Sequence, residues 1–315
     1  MKLSCIIADK MHPSLVPSLE SMGWRVDYRP EITREDLLKE IEGYQGLVIR
    51  SKTKVDADFI QAAGSLKFVA RAGAGVDNLD SQSLANSGIH VIIAPEGNRL
   101  TLGEHALAML LNLLHNVTLA DRSVREGLWQ REVFRGTELS GKTIGLIGYG
   151  NMGSAFAKML PPFKCRVLAY DKFLKDFSDE YVQEAGLEEL YPCDILSLHV
   201  PLTMETKGFY DYSFFSRFYK PLILLNTARG EILPLSDLVK LMRDQKITAA
   251  ALDVFEIEPI SQLSDKQRDV YEYLINSDRI LLTPHIAGWS YQSYERINAV
   301  ILEKLAQLQS QGLFD

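Results

Sequence analysis

The sequence is poor in cysteine: Cys5, Cys165 and Cys193 are the only three, and no two form a CxxC pair. An odd, scattered set argues against a disulfide framework or a zinc knuckle and suits a reducing cytoplasm. Positive charge is also short. With 34 Lys and Arg against 41 Asp and Glu, the formal net charge is −7. No basic field is available to hold a polyanion, so nucleic acid is not an expected partner, although a few local arginines could still bind a small anion. Long hydrophobic runs are missing as well. Ala106 to Leu119 is the most apolar stretch, and Asn112, His115 and Asn116 interrupt it, so no membrane span is expected. The opening apolar run stops at Asp9 and Lys10; it is too short for a signal peptide and reads as a strand. There is no internal repeat, low-complexity segment or long linker, and the six histidines make no HExxH or comparable metal spacing.

What is present is an ordinary globular composition, 46% hydrophobic and 24% charged, in a chain of 315 residues, long enough for two cores. Short β-type runs alternate with helical patterns. In the first hundred residues the expected strands are Leu3–Ala8, Leu47–Arg50, Phe68–Arg71 and His90–Ile93, with a helix capped by Thr33 and ended at Gly43. Thr101 and Glu104 have the spacing of a capping box, with Ala106, Leu110, Leu113 and Val117 following at helical intervals. Residues 120–140 look less regular. A second series of strands is expected at Thr143–Ile147, Arg166–Tyr170, Asp194–His199, Leu222–Asn226, Thr248–Val254 and Arg279–Leu282, with Pro161-Pro162 ending the helix after the first. An amphipathic helix from Tyr291 to Leu308 closes the chain. Such alternation implies an α/β protein with doubly wound parallel sheets.

The run Ile144–Ile147 leads into Gly148-Tyr149-Gly150-Asn151-Met152-Gly153 and then a helical stretch. In a dinucleotide loop Gly148 would allow the tight turn, Gly150 the approach of a pyrophosphate, and Gly153 close helix–strand packing. Glycine spacing alone is weak evidence. Here Asp171 also closes the next strand, about 20 residues on, where a carboxylate would bind the adenosine ribose and repel a 2′-phosphate, favouring NAD. The plain alternative is a glycine turn with a solvated aspartate.

Three further residues follow apolar strands: Arg229 in Asn226-Thr227-Ala228-Arg229-Gly230, Glu258 before Pro259, and His285 after Pro284. Ligands of open parallel sheets sit beyond the carboxyl ends of the strands, where distant residues can converge. Oxidising a secondary alcohol calls for a base, and histidine can serve as both acid and base. A carboxylate would fix its tautomer, and an arginine could grip a substrate carboxylate. Taken singly, each of the three could equally be a surface charge.

At these motifs the chain resembles the D-isomer-specific 2-hydroxyacid dehydrogenases, and among them the phosphoglycerate dehydrogenase branch. The matching segments run from Arg50-Ser51-Lys52-Thr53 and Arg71 to Asn78, through the glycine loop, His199 to Thr203 and Asn226 to Gly230, to Asp253–Pro259 and Pro284-His285. The resemblance implies a Rossmann cofactor domain, residues 98–285, inserted in a flavodoxin-like substrate domain of residues 1–97 and 286–315. It implies NAD as cofactor and a homodimer built on the helix and arm of residues 101–140. Arg229, Glu258 and His285 would be catalytic. Gly148, Gly150, Asn151, Met152, Gly153, Asp171, His199, Val200, Thr227, Ala228, Arg229, Asp253 and Gly288 would meet the cofactor. The amides of Ala74, Gly75 and Val76 would bind the substrate carboxylate, with Ser51 and Asn98 nearby, and Arg50, Arg71 and Arg131 would serve a phosphate end. The implied reaction interconverts a D-2-hydroxy acid and its 2-keto acid, with 3-phosphoglycerate foremost. Glyoxylate or hydroxypyruvate reduction, or another D-2-hydroxyacid dehydrogenase such as a D-lactate type, is the alternative, and a non-enzymatic corepressor of the same fold a remote one. The chain departs from the family pattern in three ways. Ala74 stands where threonine is common, Ser261–Tyr273 looks like an added polar loop, and a C-terminal regulatory domain is not expected.

Overall fold

The computed structural model describes residues 3–314. Five short strands, β1 (Ser4–Ile7), β2 (Arg25–Tyr28), β3 (Gly46–Ile49), β4 (Phe68–Arg71) and β5 (His90–Ile93), form a parallel sheet in the order β2-β1-β3-β4-β5. Both faces are covered, so successive strand residues enter different cores. Cys5, Ile7, Val48 and Phe68 pack with Ile297, Ile301 and Leu305 of helix Tyr291–Ser310, whereas Ile6, Leu47, Ile49 and Val69 pack with Leu37, Phe59 and Leu84. β2 was not expected from sequence. It is an edge strand whose Arg-Val-Asp-Tyr run is only partly buried, so it lacks the apolar signature of its neighbours.

Seven strands build the second sheet: β6 (Thr143–Ile147), β7 (Arg166–Tyr170), β8 (Gln183–Glu184), β9 (Ile195–Leu198), β10 (Leu222–Asn226), β11 (Ile247–Leu252) and β12 (Ile280–Leu282). All pairings are parallel, in the order β12-β11-β10-β9-β6-β7-β8. The order reverses between β6 and β9, which is the topological switch point of a Rossmann sheet; the first sheet has the flavodoxin-like order. The chain therefore contains two doubly wound α/β sheets. It divides into two compact units: one up to Arg99 together with the residues from Trp289 onward, the other Leu100–Gly288.

Four local expectations require correction. The helix containing Thr101 starts at Pro95, because proline at a first helical position is already set to helical φ, so Thr101 and Glu104 are interior and form no N-cap. That helix ends at His115, and Asn116 turns left-handed (φ 54°) before a second helix, Val117–Arg125, covers part of the segment read as irregular. The helix after the glycine loop is Asn151–Ala157, ending before Pro161-Pro162, which instead open a 3₁₀ turn. Finally, the expected loop Ser261–Tyr273 contains most of helix Asp265–Ile275. Its N-cap is Ser264, boxed with Gln267, and Val270, Tyr271 and Leu274 anchor it to the core.

In the first unit, Gly97 packs against helix Tyr291–Ser310: a Cβ there would lie 2.7 Å from the Ile297 Cα and nitrogen. Arg296 Nε donates to the Gly97 carbonyl at 3.2 Å beside this contact. Gly97→Ala is expected to cost roughly 1–3 kcal/mol through overpacking. Urea unfolding measures this, and an unshifted midpoint would contradict the packing.

Candidate active site

The glycine loop is shaped by backbone contacts. Gly148 has φ +93°, and a Cβ there would sit 2.5 Å from the His199 carbonyl oxygen; at Gly153 it would sit 2.1 Å from the Gly148 oxygen. A Cβ on Gly150 would meet nothing within 4 Å, so its face is open. The loop is thus pressed onto the end of β9 while leaving room for a ligand's phosphates at the start of helix Asn151–Ala157. Asp171 accepts from the amides of Tyr149 (2.9 Å), Phe173 (2.8 Å) and Leu174 (3.0 Å). Burial works to raise its pKa, but these amides and the Lys175 charge prevail and hold it below the usual aspartate range. The carboxylate stays charged and keeps lone-pair capacity for a hydroxyl. His199 Nε2 pairs with Ser197 Oγ at 2.9 Å, and burial holds the ring neutral, with its pKa pushed down to about 4. His199 Nδ1 and Thr227 Oγ1 are buried without a hydrogen-bond partner among the described residues. An open cradle, a charged aspartate and orphaned polar atoms at the strand ends fit NAD.

The three strand-end residues are positioned by the same unit. Asn226 closes the turn after β10, donating to the Arg229 carbonyl (2.9 Å) and accepting from the Ala228 amide (3.1 Å). Gly230 then lies against the next loop so closely that a Cβ would be 1.9 Å from the Phe255 carbonyl carbon. This brings the Arg229 turn beside the segment carrying Glu258. Glu258 Oε1 accepts from the Phe255 amide at 2.9 Å, and Oε2 takes a 2.6 Å hydrogen bond from His285 Nδ1. Burial raises the Glu258 pKa, but the His285 bond, the Phe255 amide and the charges of His285 and Arg229 prevail, leaving it below the usual glutamate range. His285 itself adopts φ 56°, a conformation uncommon outside glycine, imposed by its turn. With Nδ1 held by Glu258, Nε2 is the ring nitrogen left for a ligand.

Asp253 supplies the restraint. It is fully buried, and its carboxylate accepts from Thr283 Oγ1 (2.6 Å), the Ile286 amide (2.9 Å) and the Ala287 amide (2.7 Å). The His285 amide donates to the Asp253 carbonyl at 2.8 Å. His105 Nε2 reaches Thr283 Oγ1 at 3.2 Å. Asp253, expected to face the cofactor, thus spends most of its acceptor capacity inside the protein. Thr283, His105 and Asn226 are not among the expected site residues: Asn226 stands in the motif around Arg229 and Thr283 two residues before His285, whereas His105 carries no local signal.

Met152, Val200 and Gly288 are half-buried in the same unit, and the substrate-side candidates lie in the other unit or on the surface. Arg50 donates its amide to Asp9 (2.7 Å), and Asn78 Nδ2 donates to the carbonyls of Arg50 (3.1 Å) and Thr53 (2.7 Å), fastening the 50–53 segment to the turn holding Ala74, Gly75 and Val76. The Arg71 guanidinium folds over Gly73, where a Cβ would be 2.0 Å from its Nη1. Asn98 is partly buried in helix Pro95–His115, and Ser51 is exposed. Arg131 is exposed on the turn after helix Val117–Arg125 and makes no hydrogen bond or ion pair among the described residues. Among those residues no His, Cys, Asp and Glu cluster could hold a metal, and no helix is long and apolar enough to cross a membrane.

Residues 107–287 match the family model described as D-isomer specific 2-hydroxyacid dehydrogenase, NAD binding domain. D-3-phosphoglycerate dehydrogenase from Archaeoglobus fulgidus is 36% identical over 312 residues, covering 97% of this chain but 57% of that protein. The chain thus spans little more than half the length of that relative; the human D-3-phosphoglycerate dehydrogenase, 33% identical, is covered to 54%. Hydroxypyruvate reductase from Thermotoga maritima is 35% identical over 275 residues, 87% of this chain and 88% of that protein. Among solved structures, the TT0316 protein from Thermus thermophilus superposes with a TM-score of 0.84 at 28% identity, covering 98% of this chain and 97% of that one.

The neutral ring of His199, half-buried with its Nδ1 shielded from solvent, has a consequence for stability. As pH falls below the ordinary histidine pKa of about 6.5, the unfolded chain takes up a proton that the folded chain refuses until about 4. Stability therefore declines across that window, by up to roughly 3 kcal/mol. Urea titrations from pH 7 to 4 should show His199→Asn with a shallower decline than wild type. Parallel curves would contradict a neutral imidazole.

Proposed function

The chain belongs to the D-isomer-specific 2-hydroxyacid dehydrogenase family, and from that premise we propose that it is an NAD-dependent oxidoreductase acting at C2 of a D-2-hydroxy or 2-keto acid. The observation that carries this reading is the 2.6 Å hydrogen bond between His285 Nδ1 and Glu258. An imidazole anchored by a carboxylate on one nitrogen and open on the other is built to move a proton.

The glycine loop, Asp171 and the strand ends near His199 and Thr227 would hold NAD. When bound, NAD supplies the hydride acceptor in oxidation and the donor in reduction. His285 Nε2 takes the hydroxyl proton in the first direction and returns it to the carbonyl oxygen in the second. Glu258 keeps the ring in the required tautomer and stabilises its protonated form. Arg229 pairs with the substrate carboxylate, and the fastening of 283–287 by Asp253 keeps the imidazole in place. In this reading Leu100–Gly288 is the cofactor unit and the other unit receives the substrate.

The substrate we favour is 3-phosphoglycerate, oxidised for serine biosynthesis. Arg50 and Arg71 favour it because planar guanidinium groups suit phosphate oxygens. The hydroxypyruvate reductase relative, matched over most of its length, supports the alternative of an unphosphorylated keto acid. We further propose a cytoplasmic homodimer. The cysteines are free thiols, and Val117, Val124, Leu128, Trp129 and Val133 expose an apolar strip along one helix and its arm.

His285→Ala is expected to lower kcat by about 10²–10⁴-fold while NADH still binds, read by initial rates and by NADH fluorescence titration. Undiminished turnover would remove the assigned proton carrier. Arg50→Ala should raise KM for 3-phosphoglycerate at least about tenfold more than KM for hydroxypyruvate. Equal changes would argue for the unphosphorylated substrate.

A further inference from the structure

We propose that Trp289 and Tyr294 are positioning residues. They would hold the Arg50 guanidinium by aromatic contact, so that its N–H groups are offered to the oxygens of a phosphate or comparable anionic group. Arg50 Cζ lies 3.9 Å from the centroid of the Trp289 ring and 5.5 Å from that of Tyr294. The two rings are themselves 5.2 Å apart. Arg50 is partly buried, yet its guanidinium has neither a hydrogen-bond acceptor nor an ion-pair partner among the described residues. A partly buried cation without a protein acceptor has donors to spare, and a bound anion would engage them. Aromatic contact stabilises the positive charge without using any of the five N–H donors.

The platform is set by local sequence. Ser290 is the N-cap of helix Tyr291–Ser310, with its side chain accepting from the Ser293 amide at 3.0 Å, and Ser293 Oγ accepting from the Ser290 amide at 2.8 Å. Trp289 is thus the residue before the cap and Tyr294 the fourth residue of the helix, the two positions of a hydrophobic staple. Tyr294 also makes a T-shaped contact with His12, at 5.6 Å and 89°. The Arg50 backbone is held independently by Asp9 and Asn78. The guanidinium therefore approaches a rigid ring pair from a fixed point, which limits the rotamers of a flexible side chain before any ligand arrives.

For the identity of the anion this inference rests on the phosphoglycerate reading above. Kinetics with 3-phosphoglycerate should give about a tenfold higher KM for Trp289→Ala, with kcat within about twofold. Trp289→Phe should restore KM to within about threefold, because a ring is retained. Arg50→Lys should resemble Trp289→Ala, and combining the two should add less than about twofold. An unchanged KM in Trp289→Ala would overturn the proposal.

A second measurement does not depend on turnover: titrating the wild-type protein with inorganic phosphate while following tryptophan fluorescence. A saturable change is expected, lost in both Arg50→Ala and Trp289→Phe. If this holds while 3-phosphoglycerate is not oxidised, the anion site stands and only the substrate assignment fails. If phosphate produces no saturable change, the anion site is refuted, whatever the enzyme oxidises.

Discussion

A buried carboxylate fixes the geometry on which the rest depends. Asp253, just past the end of β11, gathers one hydroxyl and two amides from the segment 283–287 and allows that turn a single path. Inside a protein such hydrogen bonds are not diluted by water. The path places His285 in a left-handed backbone conformation that would otherwise be disfavoured, and aims its Nδ1 at Glu258. Strain at one residue is tolerated because its neighbours are over-determined. The imidazole proposed to transfer the proton is thus held by the sheet itself, while its Nε2 remains accessible.

The two sheets supply different chemistries. At the switch point of the seven-stranded sheet, glycines that contact the neighbouring strand leave an open cradle next to a charged aspartate. In the other unit, the conspicuous group is a cation rather than a cradle: Arg50, stacked on aromatic rings and set by backbone contacts to Asp9 and Asn78. Pre-positioning a guanidinium in this way reduces the ordering cost that an anionic ligand must otherwise bear.

Much of this could be read from sequence because parallel sheets leave strong marks. Runs such as Leu222–Asn226 and Phe68–Arg71 are apolar, bounded, and buried on both faces, so periodicity and length located them. β2 and β8 escaped because edge strands need little apolar character, and β8 is only two residues long. Thr101 misled because a capping-box spacing also occurs inside helices, and Pro95 was the stronger start signal. The Gly148–Gly153 loop was legible from glycine spacing, and the His285–Glu258 pair from chemistry. What sequence could not reveal was the scaffolding: that Gly230 packs on the Phe255 backbone, that Asp253 turns inward, and that Trp289 stands over Arg50. These are contacts between distant segments, and no local pattern encodes them.

The central claim is that Glu258 and His285 act as one unit, and a double-mutant cycle on kcat/KM addresses it directly. Rates are compared for wild type, Glu258→Gln, His285→Asn and the double variant. If the carboxylate works only through the imidazole, the double variant will be no slower than His285→Asn alone, within about twofold. Losses that multiply across the two sites would show independent roles and contradict the account.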